Sequence, residues 1–370
     1  MEINKIIELI QKYYLYFYDL NEFTKRKIIH LNKIKDSTVF IQQLSKIIGN
    51  EFDPHSKIID LQAKYYYLPI FLTVLNEKIV TIQDYPDYNL KKGSELTEIN
   101  DINIGEFLNT EYIKRFRISE ILRMTKIMEK IVVSDTQNRI KLGFKNGEVK
   151  KSYYFEYVQL RHFSSNQHSR ENIKYKDSLK KLDEIYYIKI GSLLNDYIIN
   201  EAIINIKNVI NKSPLIIDIR NNMGGKVELA IKLSELFSVN DFNIFTKSRI
   251  KMDKLVIRPF LKELKYPVAI LCNNLTGSAL EYIFLKSLAD SNKISIYGNK
   301  TSGFKDIATV YNLNERYKMI LTTKKYMDEN GEELKEKCFY PQYDIPTTIH
   351  DYNQFPDRQL ESVIKHIRGV

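Results

Sequence analysis

Two short stretches of this 370-residue chain hold residues whose types and spacing could do chemistry, and both bear on acyl transfer. In the first, LIIDIRNNMGG at 215–225, an apolar strand-like run ends in polar residues and two glycines. Such a turn leaves backbone N–H groups facing a cleft, the raw material of an oxyanion hole or anion site. A plain tight turn from strand to helix would need glycine in the same place, for positive φ or close approach. In the second stretch, PVAILCNNLTGSALEY at 267–282, Ser278 stands where a helix should begin. A hydroxyl there lies in positive potential, which favours the charge that develops when serine attacks an acyl group. The run Ser278-Ala279-Leu280-Glu281 also reads as a capping box, with Ser278 as N-cap and Glu281 reaching back to it. Thr276 is a rival nucleophile, and Cys272 reads as the end of a buried strand.

The elements that must position these residues follow from hydrophobic periodicity. After about residue 184 the chain alternates strand (EIYYIKIG), helix (DYIINEAIINIKNVI), strand (PLIIDI), helix (KVELAIKLSELF), strand (PVAILC), helix (SALEYIFLKSLA) and strand (KISIYG). This order predicts an α/β layer with strands buried between helices. Residues 1–50 carry helical spacing, with Asp36 or Ser37 as a start and Gly49 as a stop for DSTVFIQQLSKIIG. Short apolar runs from Tyr65 onward, the turn Asn76-Glu77-Lys78, a helix at ISEILRMTKIMEKI and the hairpin signal Asn146-Gly147 predict a small β-containing segment.

Composition narrows the function classes. Hydrophobic residues make up 44% and charged residues 28% of the chain, which fits a folded protein of two or three domains. The net charge of +10 comes from scattered lysines with no arginine-rich run, so a nucleic-acid partner is not expected. Two cysteines make no disulfide framework and a reducing, cytoplasmic setting is expected, with no signal peptide and no apolar run of membrane-spanning length. There is no HExxH, no GxGxxG after a strand and no paired CxxC, so neither a metal nor a cofactor is expected. GNKTSGFK approaches a phosphate-binding loop, but Phe304 stands where the lysine should be.

LIIDIRNNMGG and NNLTGSALEY, in this order and followed by GNKTSG, resemble the signatures of the tail-specific (C-terminal processing) serine proteases and their tricorn-core-like branch. GSELTEINDINI before the core, CFYPQYDI after it and DRQLESVIKHI at the end add to the likeness, which covers roughly residues 50–370. By that resemblance Ser278 falls on the nucleophile, Ala279 on one oxyanion N–H and Gly224 or Gly225 on the other. One branch of the family takes its base from a lysine in TFGK, where this chain has Phe304. Lys305 is one residue out of step, and in an extended segment it would face away from Ser278. The tricorn-like branch uses a histidine ahead of the core and a glutamate behind it. This implies His55, in EFDPHS, as general base and Glu336 as the residue that orients it, with His162 and His168 as rivals for the base.

The resulting expectation is an α/β protein with a crotonase/ClpP-like core at 151–370. An N-terminal helical region occupies 1–50, and a β-containing segment at 51–150 carries the base and has a PDZ-like module as one reading. Its substrate would be a peptide or unfolded protein tail, with a homo-oligomer allowed and no membrane partner. An inactive peptide- or ligand-binding protein and a Ser/Lys enzyme using Lys305 are the alternatives.

Overall fold

A computed structural model describes residues 3–48, 53, 55–109, 120–159, 179–335, 338–347 and 357–369. The alternation expected after residue 184 is present. Strand Ile185–Lys189 leads to helix Asp196–Val209, and strand Leu215–Asp218 to helix Val227–Glu235. Strand Val268–Cys272 leads through Ser278 into a helix that opens with π-helical turns at Leu280–Leu285, and strand Ile294–Gly298 follows. These four strands lie side by side and parallel in that order, with Leu179–Leu182 antiparallel at one edge and Tyr343–Asp344 parallel at the other.

Every residue of Leu215–Asp218 and of Val268–Cys272 is buried, because helices cover both faces of the sheet. That is why these strands read as unbroken apolar runs. Ile217 and Ile270 pack with Ile206, Leu233 and Ile283 on one face, whereas Ile216, Ala269 and Leu271 pack with Val363 of the last helix, Arg358–Arg368, on the other. Helix Asp196–Val209 starts where the Asn195 side chain accepts the N–H of Tyr197 and of Ile198. It buries Ile199, Ala202, Ile203, Ile206 and Val209 at the spacing of one helical face.

Beside this layer stands a five-stranded antiparallel sheet built on the long strand Tyr317–Met327, which pairs with Lys57–Asp60, Phe242–Ser248 and Asp306–Asn312. The N-terminal helices Ile3–Tyr13, Glu22–His30 and Ser37–Ile47 pack on it: Ile10, Ile28, Phe40 and Leu44 share a core with Tyr317, Met319 and Leu321.

The small β-containing unit has its own core, from Leu68 to Tyr157, around Phe144 and Phe155. Its sheet joins Leu72–Leu75, Lys78–Thr81, Glu95–Ile99, Arg139–Asn146 and Val149–Glu156, so hydrogen bonding carries it to Glu156. The hairpin turns are where Asn76 (φ 48°), Glu77 (φ 62°) and Gly147 (φ 59°) take left-handed backbone. Such turns match the twist of the strands they join. Leu275, three residues before Ser278, is buried in this small core, so the loop that carries Ser278 is shared between the two units. Among the described residues no helix is long and apolar enough to cross a membrane.

Candidate active site

Three loops leave the C-terminal ends of neighbouring parallel strands and meet: 219–226 after Leu215–Asp218, 273–279 after Val268–Cys272, and 299–305 after Ile294–Gly298. In open α/β sheets this edge is where ligand sites form. Hydrogen bonds stitch the loops together. Asn221 N–H donates to Asn273 Oδ1 (2.9 Å) and Asn273 Nδ2 returns the bond to Asn221 Oδ1 (2.8 Å). Thr276 Oγ1 donates to the Ile219 carbonyl (3.0 Å), Gly277 N–H to the Asn222 carbonyl (3.1 Å), and Ser302 N–H to the Thr276 carbonyl (2.9 Å). Thr276 is thus consumed by structure, and Cys272 is fully buried at the end of its strand.

Ser278 has φ 55°, left-handed backbone that a residue with a side chain rarely adopts. Holding it there costs about 1–3 kcal/mol and is a device that clusters at functional sites. The fold enforces this conformation from both sides. A Cβ on Gly277 would collide with Ser302 Oγ, and a Cβ on Gly224 (φ 91°) would lie 2.7 Å from the Gly277 carbonyl oxygen and 3.0 Å from Ser278 Cβ. The glycine turn therefore lies directly on the serine. Gly225 (φ 148°) is pinned against Leu193, 2.5 Å from that residue's carbonyl group to a would-be Cβ. Gly224 N–H donates to Oδ1 of the buried Asn222 (2.9 Å), so Gly225 is the one of the two glycines whose N–H Asn222 does not take. Asn222 is not singled out by the sequence, although a polar residue two positions before a pair of glycines is a signal that marks it.

The capping box expected at Ser278 does not form. The Ser278 carbonyl accepts the N–H groups of Glu281 and Tyr282 (3.0 Å each), but the Glu281 side chain turns the other way. It accepts bonds from Thr301 Oγ1 (2.6 Å) and from the N–H groups of Phe339 (3.0 Å), Gly303 (3.1 Å) and Phe304 (3.3 Å). Burial pushes its carboxyl up to about 7, and these donors pull against that rise.

His55 comes from the opposite side. Its N–H is accepted by Oδ1 of the buried Asp53 (2.8 Å); Asp53 also holds the Ser56 N–H and hydroxyl, and Ser56 Oγ accepts the N–H of Thr322. This fastens the histidine turn to strand Tyr317–Met327. The imidazole lies on the ring of Phe304, centroids 3.7 Å apart, and Phe304 Cβ is 3.6 Å from the would-be Cβ of Gly277. His55 and the loop that carries Ser278 are thus neighbours across one aromatic ring. His55 Nε2 is enclosed and has no hydrogen-bond partner, so it makes no bond to Ser278 in this conformation. Burial, helped by Lys126 and Lys57, pushes its pKa down to about 3.

Lys305 Nζ is paired with Glu333 (3.1 Å). Glu336, His162 and His168 lie outside the described residues. Arg220 links strand and C-terminus, bonded to both oxygens of the buried Asp218 (2.9 and 2.6 Å) and of Asp357 (3.0 and 2.6 Å), the N-cap of the last helix. A cleft of about 390 Å³ opens where Asn76 and Glu77 of the small unit face Asn274, Asn299 and Lys300 of the loops just described. Among the described residues no cluster of side chains is arranged to hold a metal ion.

A strained serine at a strand-to-helix turn, covered by a glycine turn at the carboxyl edge of a parallel sheet, has the layout of a serine acyl-transfer site. Residues 184–345 match Peptidase family S41. The chain resembles the carboxy-terminal processing protease CtpA of Bacillus subtilis, 31% identical over 152 residues (40% of this chain, 32% of that one). It also resembles the chloroplastic carboxyl-terminal-processing peptidase 1 of Arabidopsis thaliana, 29% identical over 147 residues (39% and 30%). The matched stretch spans about a third of the length of these relatives. In fold the chain is similar to mature CPAF, with a TM-score of 0.69 at 13% identity over 99% of this chain and 97% of the other. The photosystem II D1 C-terminal processing protease gives 0.56 at 12% over 97% and 98%. The match to peptidase family S41 covers residues 184–345, under half of the chain, and the likeness to the solved structures is one of α/β fold.

Proposed function

We propose that this chain is a serine peptidase that hydrolyses extended peptides or unstructured protein tails through an acyl-enzyme. Ser278 is the nucleophile, the N–H groups of Gly225 and Ala279 receive the oxyanion, His55 is the general base, and Glu336 orients it in the manner of the tricorn-like branch. The observation that carries the reading is Ser278 itself, held at φ 55° with Gly224 pressed on its Cβ. Presenting the hydroxyl is a reason to retain serine where glycine would be free of strain.

In this conformation burial holds His55 neutral with a pKa down to about 3, so to take the serine proton it must leave that enclosure and regain a pKa near the working range, as contact with Glu336 would favour. The missing bond from Nε2 is the kind that tightens when substrate binds. The cleft beside the nucleophile loop, lined by asparagines from both units, supports an extended peptide, whose backbone amides pair with such side chains. Two cysteine thiols without a disulfide support a reducing, cytoplasmic setting.

A second reading, a binding protein without hydrolytic activity, is favoured by one observation, the Phe304 ring against His55 where a catalytic hydrogen bond would be expected. A fluorophosphonate probe separates the two. Covalent labelling at Ser278 that is lost in Ser278→Ala supports the peptidase; a folded wild type inert to the probe, with intact peptide binding, supports the binder.

A further inference from the structure

We infer that Glu281 is a positioning residue for the His55 imidazole, acting through Phe304; this rests on the serine-peptidase reading above. Glu281 is 1% exposed, three residues beyond Ser278 in the π-helical turns, and takes no part in the acyl-transfer steps. Its Oε1 accepts Thr301 Oγ1 and Phe339 N–H, and its Oε2 accepts the consecutive N–H groups of Gly303 and Phe304. Four donors fill the accepting capacity of an ionised carboxylate. A protonated carboxyl must donate from one oxygen, and three of these four partners are backbone N–H groups that cannot accept.

The Oε2 pair fixes the peptide that carries the Phe304 ring. That ring contacts the imidazole on one side, while its Cβ packs beside Gly277 on the other. From Glu281 to His55 the contacts run through a single residue. A general base acts only when its ring is held near the proton it takes, and small misplacements cost large factors in rate.

Several ionisable groups face Glu281: the Cys272 thiol from the adjacent strand, the Tyr282 hydroxyl from its own helix and the Tyr326 hydroxyl from strand Tyr317–Met327. Burial pushes each of these upward, so all stay neutral at neutral pH. Glu281 therefore changes charge near 7, far from His55 near 3, and the two leave separate marks on a pH profile. The folded chain binds the Glu281 proton more tightly than the unfolded chain does. Acidification from about 7 to 4.5 thus strengthens this group's contribution to stability while it releases Phe304. Activity and stability are driven in opposite directions.

The test is the rate of fluorophosphonate labelling of the full chain between about pH 5 and about pH 9, with Tm measured at each pH. In the wild type the rate should fall about tenfold below an inflection near 7 without a matching fall in Tm. Glu281→Gln should label about tenfold more slowly at about pH 8, lose that inflection and keep the peptide KM within about twofold. If Glu281→Gln does not fold, Thr301→Val removes one donor and should move the inflection upward. An inflection unmoved in Thr301→Val, or a Glu281→Gln enzyme with wild-type rate and profile, overturns the positioning role alone. A wild type that is inert at every pH overturns the peptidase reading and this role with it.

Discussion

The two halves of the candidate site are built differently. On the nucleophile side, three consecutive strand ends supply loops that are bonded to one another, and Ser278, Gly224, Asn222 and Thr276 are fixed by contacts within a few ångströms. On the base side, His55 is fastened at its backbone by Asp53 and Ser56, but its Nε2 has no partner and its ring rests on Phe304. The loops around Ser278 are fixed in the protein alone, whereas on the proposed mechanism the His55 side is completed by substrate. The seam runs between the units: Leu275 enters the small core, and the histidine turn hangs from the antiparallel sheet.

Disturbing the preorganised half should have the largest effect. Gly224→Ala puts a methyl group 2.7 Å from the Gly277 carbonyl oxygen in left-handed backbone. Hydrolysis should fall by about 10²-fold or more, as expected when an oxyanion donor is displaced, with stability lowered by about 1–3 kcal/mol; steady-state kinetics and denaturant unfolding measure the two. On the open side, Asp53→Ala leaves the His55 N–H, Ser56 N–H and Ser56 hydroxyl without their acceptor. This should cost about 2–4 kcal/mol in urea unfolding and lower kcat more than it raises KM.

A smaller effect concerns pH and stability. Glu281 and Asp306, pushed up by burial to about 7 and about 6, bind protons more tightly folded than unfolded, so their contributions to stability are lost as pH rises through about 4 to 7. Asp218 and Asp357, held below the usual carboxylate range beside Arg220, act oppositely and lose theirs as pH falls below about 4. His55, kept neutral by burial, loses its own as pH falls from about 6.5 to about 3, against the gain from the two raised carboxyls. Tm followed against pH should therefore peak in mild acid, and Glu281→Gln should flatten its decline toward neutrality. The smallest effect belongs to Lys305→Ala, which removes only a partly exposed pair with Glu333. Stability should change by less than about 1 kcal/mol and labelling of Ser278 by less than about twofold; a large loss of labelling would revive the lysine as base.

What was legible in the sequence divides along the same seam. The strand-helix alternation, the glycine turn and Ser278 lie in contiguous motifs whose local physics is self-contained. The parallel strands are apolar throughout because both faces are covered, and the glycines are where backbone meets backbone. Spacing alone favours a capping box for Glu281 and cannot show a loop 20 residues ahead offering three better donors, with Phe339 as a fourth. A hint was present: Glu281 is the one acidic residue in the run Ala279–Leu285, every residue of which is buried, so it has no solvent face. The contact between Phe304 and His55, separated by about 250 positions, comes from tertiary packing and leaves no local pattern.

On the proposed mechanism His55 moves from Phe304 to Ser278 when the acyl group is bound. A crystal structure of Ser278 covalently modified by a peptidyl phosphonate measures this directly. The phosphonyl oxygen should sit about 3 Å from the N–H groups of Gly225 and Ala279, with His55 Nε2 within hydrogen-bonding reach of the serine oxygen. An adduct in which Nε2 still lies enclosed against Phe304, or in which another residue supplies the base, would contradict it.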